Sequence, residues 1–181
     1  MEVWFTGDSH FNHANIMKYC GRPFSSVKEM DETIIENWNR VVKPSDDVYH
    51  LGDFAFVRTR EDVEAYVQKL NGRIHLIFGN HDKGAVRQAR GFVWKDNLRT
   101  IGVGNQSIVL CHYAMRVWNK AHYGSWQLYG HSHGNLSELP NLLSCDVGVD
   151  CWSFTPVSFE QVQERMERKT FVPVDRRDRR P

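Results

Sequence analysis

Nine histidines stand in this chain of 181 residues, and five of them fall in short polar clusters. The clusters are Asp8 with His10, Asp53, Asn80 with His81 and Asp82, His112, and His131 with His133. Carboxylate, imidazole and amide oxygen suit divalent first-row metal ions. No cysteine belongs to the set, which argues against a structural zinc site. Asp8 and His10, like His131 and His133, are two residues apart. On an extended backbone that spacing points both side chains the same way. Each pair can then bind one ion or contribute to two adjacent ions.

These residues share a local context. Val3–Thr6 is β-prone and ends at Gly7-Asp8; Asp47–Leu51 ends at Gly52-Asp53; the apolar run from Arg73 to Phe78 ends at Gly79-Asn80. Later, Ser107–Leu110 leads into Cys111-His112, and Gln127–Tyr129 into Gly130-His131. Loops at the carboxyl ends of strands are where α/β proteins build sites. Between the strands, Ser26 and Glu29 form a capping-box pattern. Val27, Met30, Ile34, Trp38 and Val41 follow at helical spacing, up to Pro44. A second helix is predicted over residues 60–70. A last one opens at Ser158 with Gln161 three residues on and runs to about Lys169. The strand–helix order of the first half predicts an α/β sheet. Strand-like alternation over Leu142–Val149 adds to the second half.

Hydrophobic residues make up 41% and charged residues 25% of the chain, with a net charge of +1. That balance fits a soluble globular protein and excludes a strongly basic nucleic-acid surface overall. No apolar run approaches the ~20 residues of a membrane helix. Residues 1–5 carry no basic n-region or cleavage site, so a cytoplasmic location with four free cysteines is expected. One domain over residues 1–173 is expected, with a flexible basic tail at 174–181.

Asp8-Ser9-His10, Gly52-Asp53, Gly79-Asn80-His81-Asp82, Cys111-His112 and Gly130-His131-Ser132-His133 resemble, in order, the five signature blocks of the calcineurin-like metallophosphoesterases. The surrounding residues, among them Phe11-Asn12-His13 and Arg22-Pro23-Phe24, are similar to a small bacterial and phage-type branch. The resemblance implies an α/β fold with a two-sheet β-sandwich core flanked by helices, in α/β/β/α layers. It also implies two divalent metal ions, Mn²⁺ first and Mg²⁺, Ni²⁺, Zn²⁺ or Fe as alternatives. Asp8, His10 and His133 would bind one ion, Asn80, His112 and His131 the other, and Asp53 would bridge them. His81 would face the substrate, with Asp82 orienting its ring. Two cations about 3.5–4 Å apart neutralise an anionic ester and acidify a bridging water. The implied reaction is hydrolysis of a phosphodiester or phosphomonoester by a metal-bridging hydroxide. A nucleotide, a cyclic nucleotide or a nucleic-acid terminus is the substrate class, with no membrane or obligatory protein partner.

Outside the blocks, His13, Arg22, Arg116 and His122 are candidates for substrate contact. Arginine matches phosphate oxygens bidentately, against the alternative of an ordinary salt bridge. His50 and His75 lie inside strand-like runs and read as structural. Trp118, Trp126 and Trp152 are candidates for an aromatic wall, with core packing expected of at least two. The competing functional class is a catalytically silent scaffold on the same fold, which would be expected to lose His81 or a ligand. A nuclease on this fold predicts a basic groove, and the near-neutral charge counts against it.

Overall fold

A computed structural model describes residues 1–174 of the 181. The expected basic tail lies, from residue 175, outside the described residues. Strand β1 (Val3–Thr6) leads through helix α1 (Ala14–Cys20) to helix α2 (Val27–Val41) and strand β2 (Asp47–His50). Helix α3 (Arg60–Val67), β3 (Arg73–Ile77), α4 (Gly84–Gln88) and β4 (Lys95–Asp96) follow. The second half holds β5 (Leu98–Val103), β6 (Gln106–Cys111), β7 (Trp126–Tyr129), β8 (Ser144–Asp146), β9 (Val157–Ser158) and α5 (Phe159–Glu167).

Two mixed sheets result. The first has the order β4-β3-β2-β1-β9, parallel except for β9. The second has the order β5-β6-β7-β8, parallel except for the β5–β6 hairpin. Alternation along β1 decides the layering. Trp4 joins Val48, Ile74 and Leu76 in a core packed with Met30, Ile34 and Trp38 of α2. Its neighbour Phe5 faces the other way, into a core with Leu51, Ile77, Ile108, Leu110 and Leu128 between the sheets. The outer face of β6 is covered by Trp118, Ala121 and Leu142.

Helix α2 forms where its pattern places it. The Ser26 side chain caps the Glu29 amide, and Met30, Ile34 and Trp38 come onto one buried face. Each such side chain contributes roughly 1.5–3 kcal/mol by leaving water. Helix α5 opens with a complete Ser158–Gln161 capping box and buries Val162 and Met166 against β1, β8 and β9. The expected 142–149 strand is shorter, because β8 spans three residues before the chain turns at Gly148 into a 3-10 turn over Val149–Cys151. His50 and His75 are buried in the first sheet, and Trp118 and Trp126 in the cores. Among the described residues, no helix is long and apolar enough to cross a membrane.

Candidate metal centre

Six strands, β1, β2, β3, β6, β7 and β8, deliver their carboxyl ends to one place. Main-chain bonds join the loops there. The Asp8 amide donates to Gly52 O (2.8 Å), Gly130 N to His112 O (3.0 Å) and Val149 N to Gly7 O (3.0 Å). Gly52 stands at φ +98°, and a Cβ on it would meet Gly79 N and His112 Nδ1 at 2.6 Å. Glycine is required here because three loops converge on it.

Among the described residues, two groups of side chains could hold a metal ion: Asp8, His10 and His133; and Asp53, His112 and His131. Within each, the ligand atoms lie within 4.8 Å of one another. Asp53 joins the two, since its Oδ2 is 3.5 Å from His10 Nε2 and 3.5 Å from His112 Nε2. Asn80 Oδ1 is 3.0 Å from His112 Nε2. The His131–His133 pair therefore splits between the groups, while Asp8 and His10 share one. The reason is not the extended backbone expected from the two-residue spacing. Asp8, His10, Asp53, His131 and His133 all adopt φ between 47° and 66°. Non-glycine residues avoid this left-handed region. Such conformations persist where surrounding structure enforces them, commonly at functional sites. Here the His131 amide donates to both Asp8 carboxylate oxygens, at 3.0 and 2.9 Å.

The electrostatics are those of an unsatisfied cluster. Burial raises the Asp8 carboxyl to about 7 and lowers His10 to about 2. Burial also works against charge on His112, but its hydrogen bond to Asp53 and the Asp8 and Asp53 carboxylates raise it to about 9. Asp53 is held down at about 2, its burial outweighed by the His112 hydrogen bond and nearby imidazoles. His10 Nε2 is buried without any hydrogen-bond partner. Its other nitrogen lies 3.0 Å from His13 Nδ1, and His112 Nδ1 lies 2.7 Å from Leu51 O. A carbonyl only accepts, so His112 Nδ1 carries a proton and Nε2 faces Asp53 and Asn80. A buried, bare imidazole nitrogen beside a carboxylate fits a cation.

Around this centre the structure revises several expectations. Arg22 does not offer its guanidinium to a substrate. Its side chain is fully buried and bonded to both Asp150 oxygens (2.8 Å each), Ser9 O (3.1 Å) and Asp8 O (2.6 Å). Asp82 is likewise committed elsewhere than to the His81 ring. Its carboxylate accepts from the amides of Asp53 (2.8 Å), Phe54 (2.9 Å) and Gly79 (2.7 Å), so it fixes loops. His81 is exposed at the rim, its amide donating to Asp53 Oδ1 at 2.8 Å. His13 is buried between His10 and Phe56, stacked on the Phe56 ring at 4.3 Å. Arg116 and His122 are exposed on the loop after β6, outside both ligand groups.

Asp150 is the functional residue that sequence reading missed. Its Oδ2 lies 2.6 Å from His133 Nδ1, which fixes that ring. Burial opposes its charge, yet His133 and Arg22 hold the carboxyl below its usual range. A signal was present: in Val147-Gly148-Val149-Asp150 an acid follows a strand-ending glycine, one residue further on than in Leu51-Gly52-Asp53.

The family model for the calcineurin-like phosphoesterase superfamily domain matches residues 1–175. The chain belongs to the calcineurin-like phosphoesterases. Proteins similar to the chain include the uncharacterized protein MJ1445 of Methanocaldococcus jannaschii, 35% identical over 177 residues and covering 94% of both chains. The gene 66 protein of Mycobacterium phage D29 is 29% identical over 180 residues, covering 83% of this chain and 88% of its own. Among solved structures, protein AQ665 of Aquifex aeolicus superposes with a TM-score of 0.73 at 24% identity, over 91% of this chain and 98% of its own. That likeness shows a shared fold.

Proposed function

We propose that this phosphoesterase-family chain is a binuclear metal-dependent hydrolase of phosphodiesters. Asp8, His10 and His133 would hold one cation and Asn80, His112 and His131 the second, with Asp53 shared between them. The observation that carries this reading is Asp53 Oδ2 standing 3.5 Å from an imidazole of each group. Two bound divalent ions, Mn²⁺ first among them, would supply charge neutralisation and an acidified water for in-line displacement. The chain's residues do the rest. Asp150 and Leu51 O fix the His133 and His112 rings. Asp82 fixes the Asp53 loop through its amide. His81, exposed beside Asp53 with its amide bonded to that carboxylate, would offer its ring as proton donor to the oxygen that departs from phosphorus. A silent scaffold is not favoured, because no ligand position and no rim histidine has been lost.

The test is turnover of phosphomonoesters, linear diesters and 2′,3′- and 3′,5′-cyclic nucleotides with Mn²⁺, Mg²⁺, Ni²⁺ or Zn²⁺. Diester hydrolysis dependent on metal is expected, and no turnover under any condition would refute the enzyme reading. His81→Ala is expected to keep both metals and lose about 10²–10⁴-fold in kcat. Asp53→Asn is expected to stay folded yet lose bridging; full metal content and near-normal rate would show the bridge misplaced.

A further inference from the structure

A groove of about 930 Å³ opens beside the metal centre, from His81 along α3, α4 and the loop after β2. A second depression of about 470 Å³ shares Arg58 with it and continues to Arg60. Together they exceed the ~300–1,000 Å³ of an ordinary small-molecule pocket. Arg58, Lys69 and Lys83 line the main groove, all three exposed. None is in an ion pair among the described residues. One acid, Asp62, also lines the groove and keeps its charge while accepting from Thr59 Oγ1 at 2.6 Å, so three cations face one carboxylate there; Glu61, beside it, is paired with Arg60 Nε at 2.7 Å. The groove therefore carries positive charge that the near-neutral total conceals.

An aromatic platform adjoins those cations. Phe56 lines the groove, stacks on His13 at 4.3 Å, and is still 50% exposed. One side of the ring is thus packed and the remainder is open. Unpaired cations along a track, with an open aromatic face at its catalytic end, are how single strands are held without reading sequence. A duplex offers no unstacked base to such a face.

Resting on the phosphodiesterase reading, we propose that this groove binds a single-stranded nucleic acid, with a base on Phe56 and backbone phosphates on Arg58, Lys69 and Lys83. The bound nucleotides lie on the leaving-group side of the phosphate at the metal centre, because the groove starts at His81. In the hydrolytic step, the oxygen of water bonds to phosphorus and the P–O bond to the groove-side strand breaks. The departing oxygen takes a proton from His81, and that strand leaves with a hydroxyl end. The other strand keeps the phosphate, and a proton from the attacking water restores His81.

Fluorescence anisotropy with a labelled 12-nucleotide single-stranded DNA and its RNA counterpart, without added metal, tests binding. A log–log salt slope of about −2 is expected from three phosphate contacts. Arg58→Glu with Lys83→Glu should flatten that slope and weaken binding at least about tenfold. Phe56→Ala should weaken binding about tenfold. In kinetics with metal, the ratio of kcat/KM for the oligonucleotide to that for bis(4-nitrophenyl) phosphate should fall at least tenfold in the double variant. A ratio within twofold of wild type, or a blunt duplex bound as tightly as the single strand, would overturn the groove assignment while the phosphodiesterase reading stands. If wild type cleaves neither substrate, the phosphodiesterase reading fails, and the anisotropy series alone decides the groove.

Discussion

At the scale of single residues, the arrangement around His133 shows how a candidate ligand is aimed by buried groups behind it. The Arg22 guanidinium, fully buried, neutralises Asp150, and Asp150 fixes the His133 ring through Nδ1. Removing one partner of a buried pair strands the other charge, which costs about 3–5 kcal/mol. Asp150→Asn is therefore expected to lower stability by ~3 kcal/mol in urea unfolding with chelator present. It should also weaken metal binding about 10–100-fold by calorimetry, because the acceptor that orients the ring loses its charge. Unchanged metal affinity would show that His133 needs no such support. Arg22 illustrates a limit of reading residue types. An arginine near a phosphate site fits either a substrate clamp or an internal brace. Its burial, which a one-dimensional chain does not display, decides for the brace.

Individual elements carry a pH-dependence separate from the metal ligands. In β2, His50 is fully buried against Trp38 and Phe54. Ser9 Oγ spends its proton on Phe54 O, so His50 Nε2 donates to Ser9 Oγ and Nδ1 is left without a partner. Burial lowers this histidine to about 3. The unfolded chain, with an ordinary imidazole near 6.5, thus binds a proton that the folded chain refuses. Stability is full above pH 6.5 and falls as pH drops from there toward 3. The loss from this group between pH 7 and 5 is about 2 kcal/mol. Chemical denaturation at both values, with chelator, should show that slope reduced in His50→Gln; an equal slope would assign it to other groups. Elements also differ in how openly they are written. Helices α2 and α5 combine a cap with a regular apolar stripe. Helix α1 has seven residues and no side-chain cap, and the edge strand β5 is largely exposed, so neither has a pattern that burial imposes.

For the whole molecule, the two sheets matter because they bring six strand ends, from residue 8 to residue 150, within ligand distance of one another. Cations bound there would stabilise the folded chain, because the unfolded one has no comparable site. Mn²⁺ at about 100 times its Kd should add ~2.7 kcal/mol per site, raising Tm by roughly 5–10 °C for a domain of this size. Calorimetry should find this shift in wild type and most of it missing in Asp53→Asn; an equal shift in both would place the ions elsewhere. The sequence by itself determined the strands that end in Gly-Asp, Gly-Asn and Gly-His, the α2 and α5 helices, and the donor chemistry of the side chains at those strand ends, Asp8, His10, Asp53, Asn80, His112, His131 and His133. These are local properties: side-chain type, period and turn residues. The tertiary structure alone decided that His131 and His133 part company, that Arg22 serves Asp150, that Asp82 holds loops instead of a ring, and that Arg58, Lys69 and Lys83 share a groove. Each of those depends on backbone conformation or on contacts between distant segments. Such contacts are set by how the cores pack, which no window of neighbouring residues encodes.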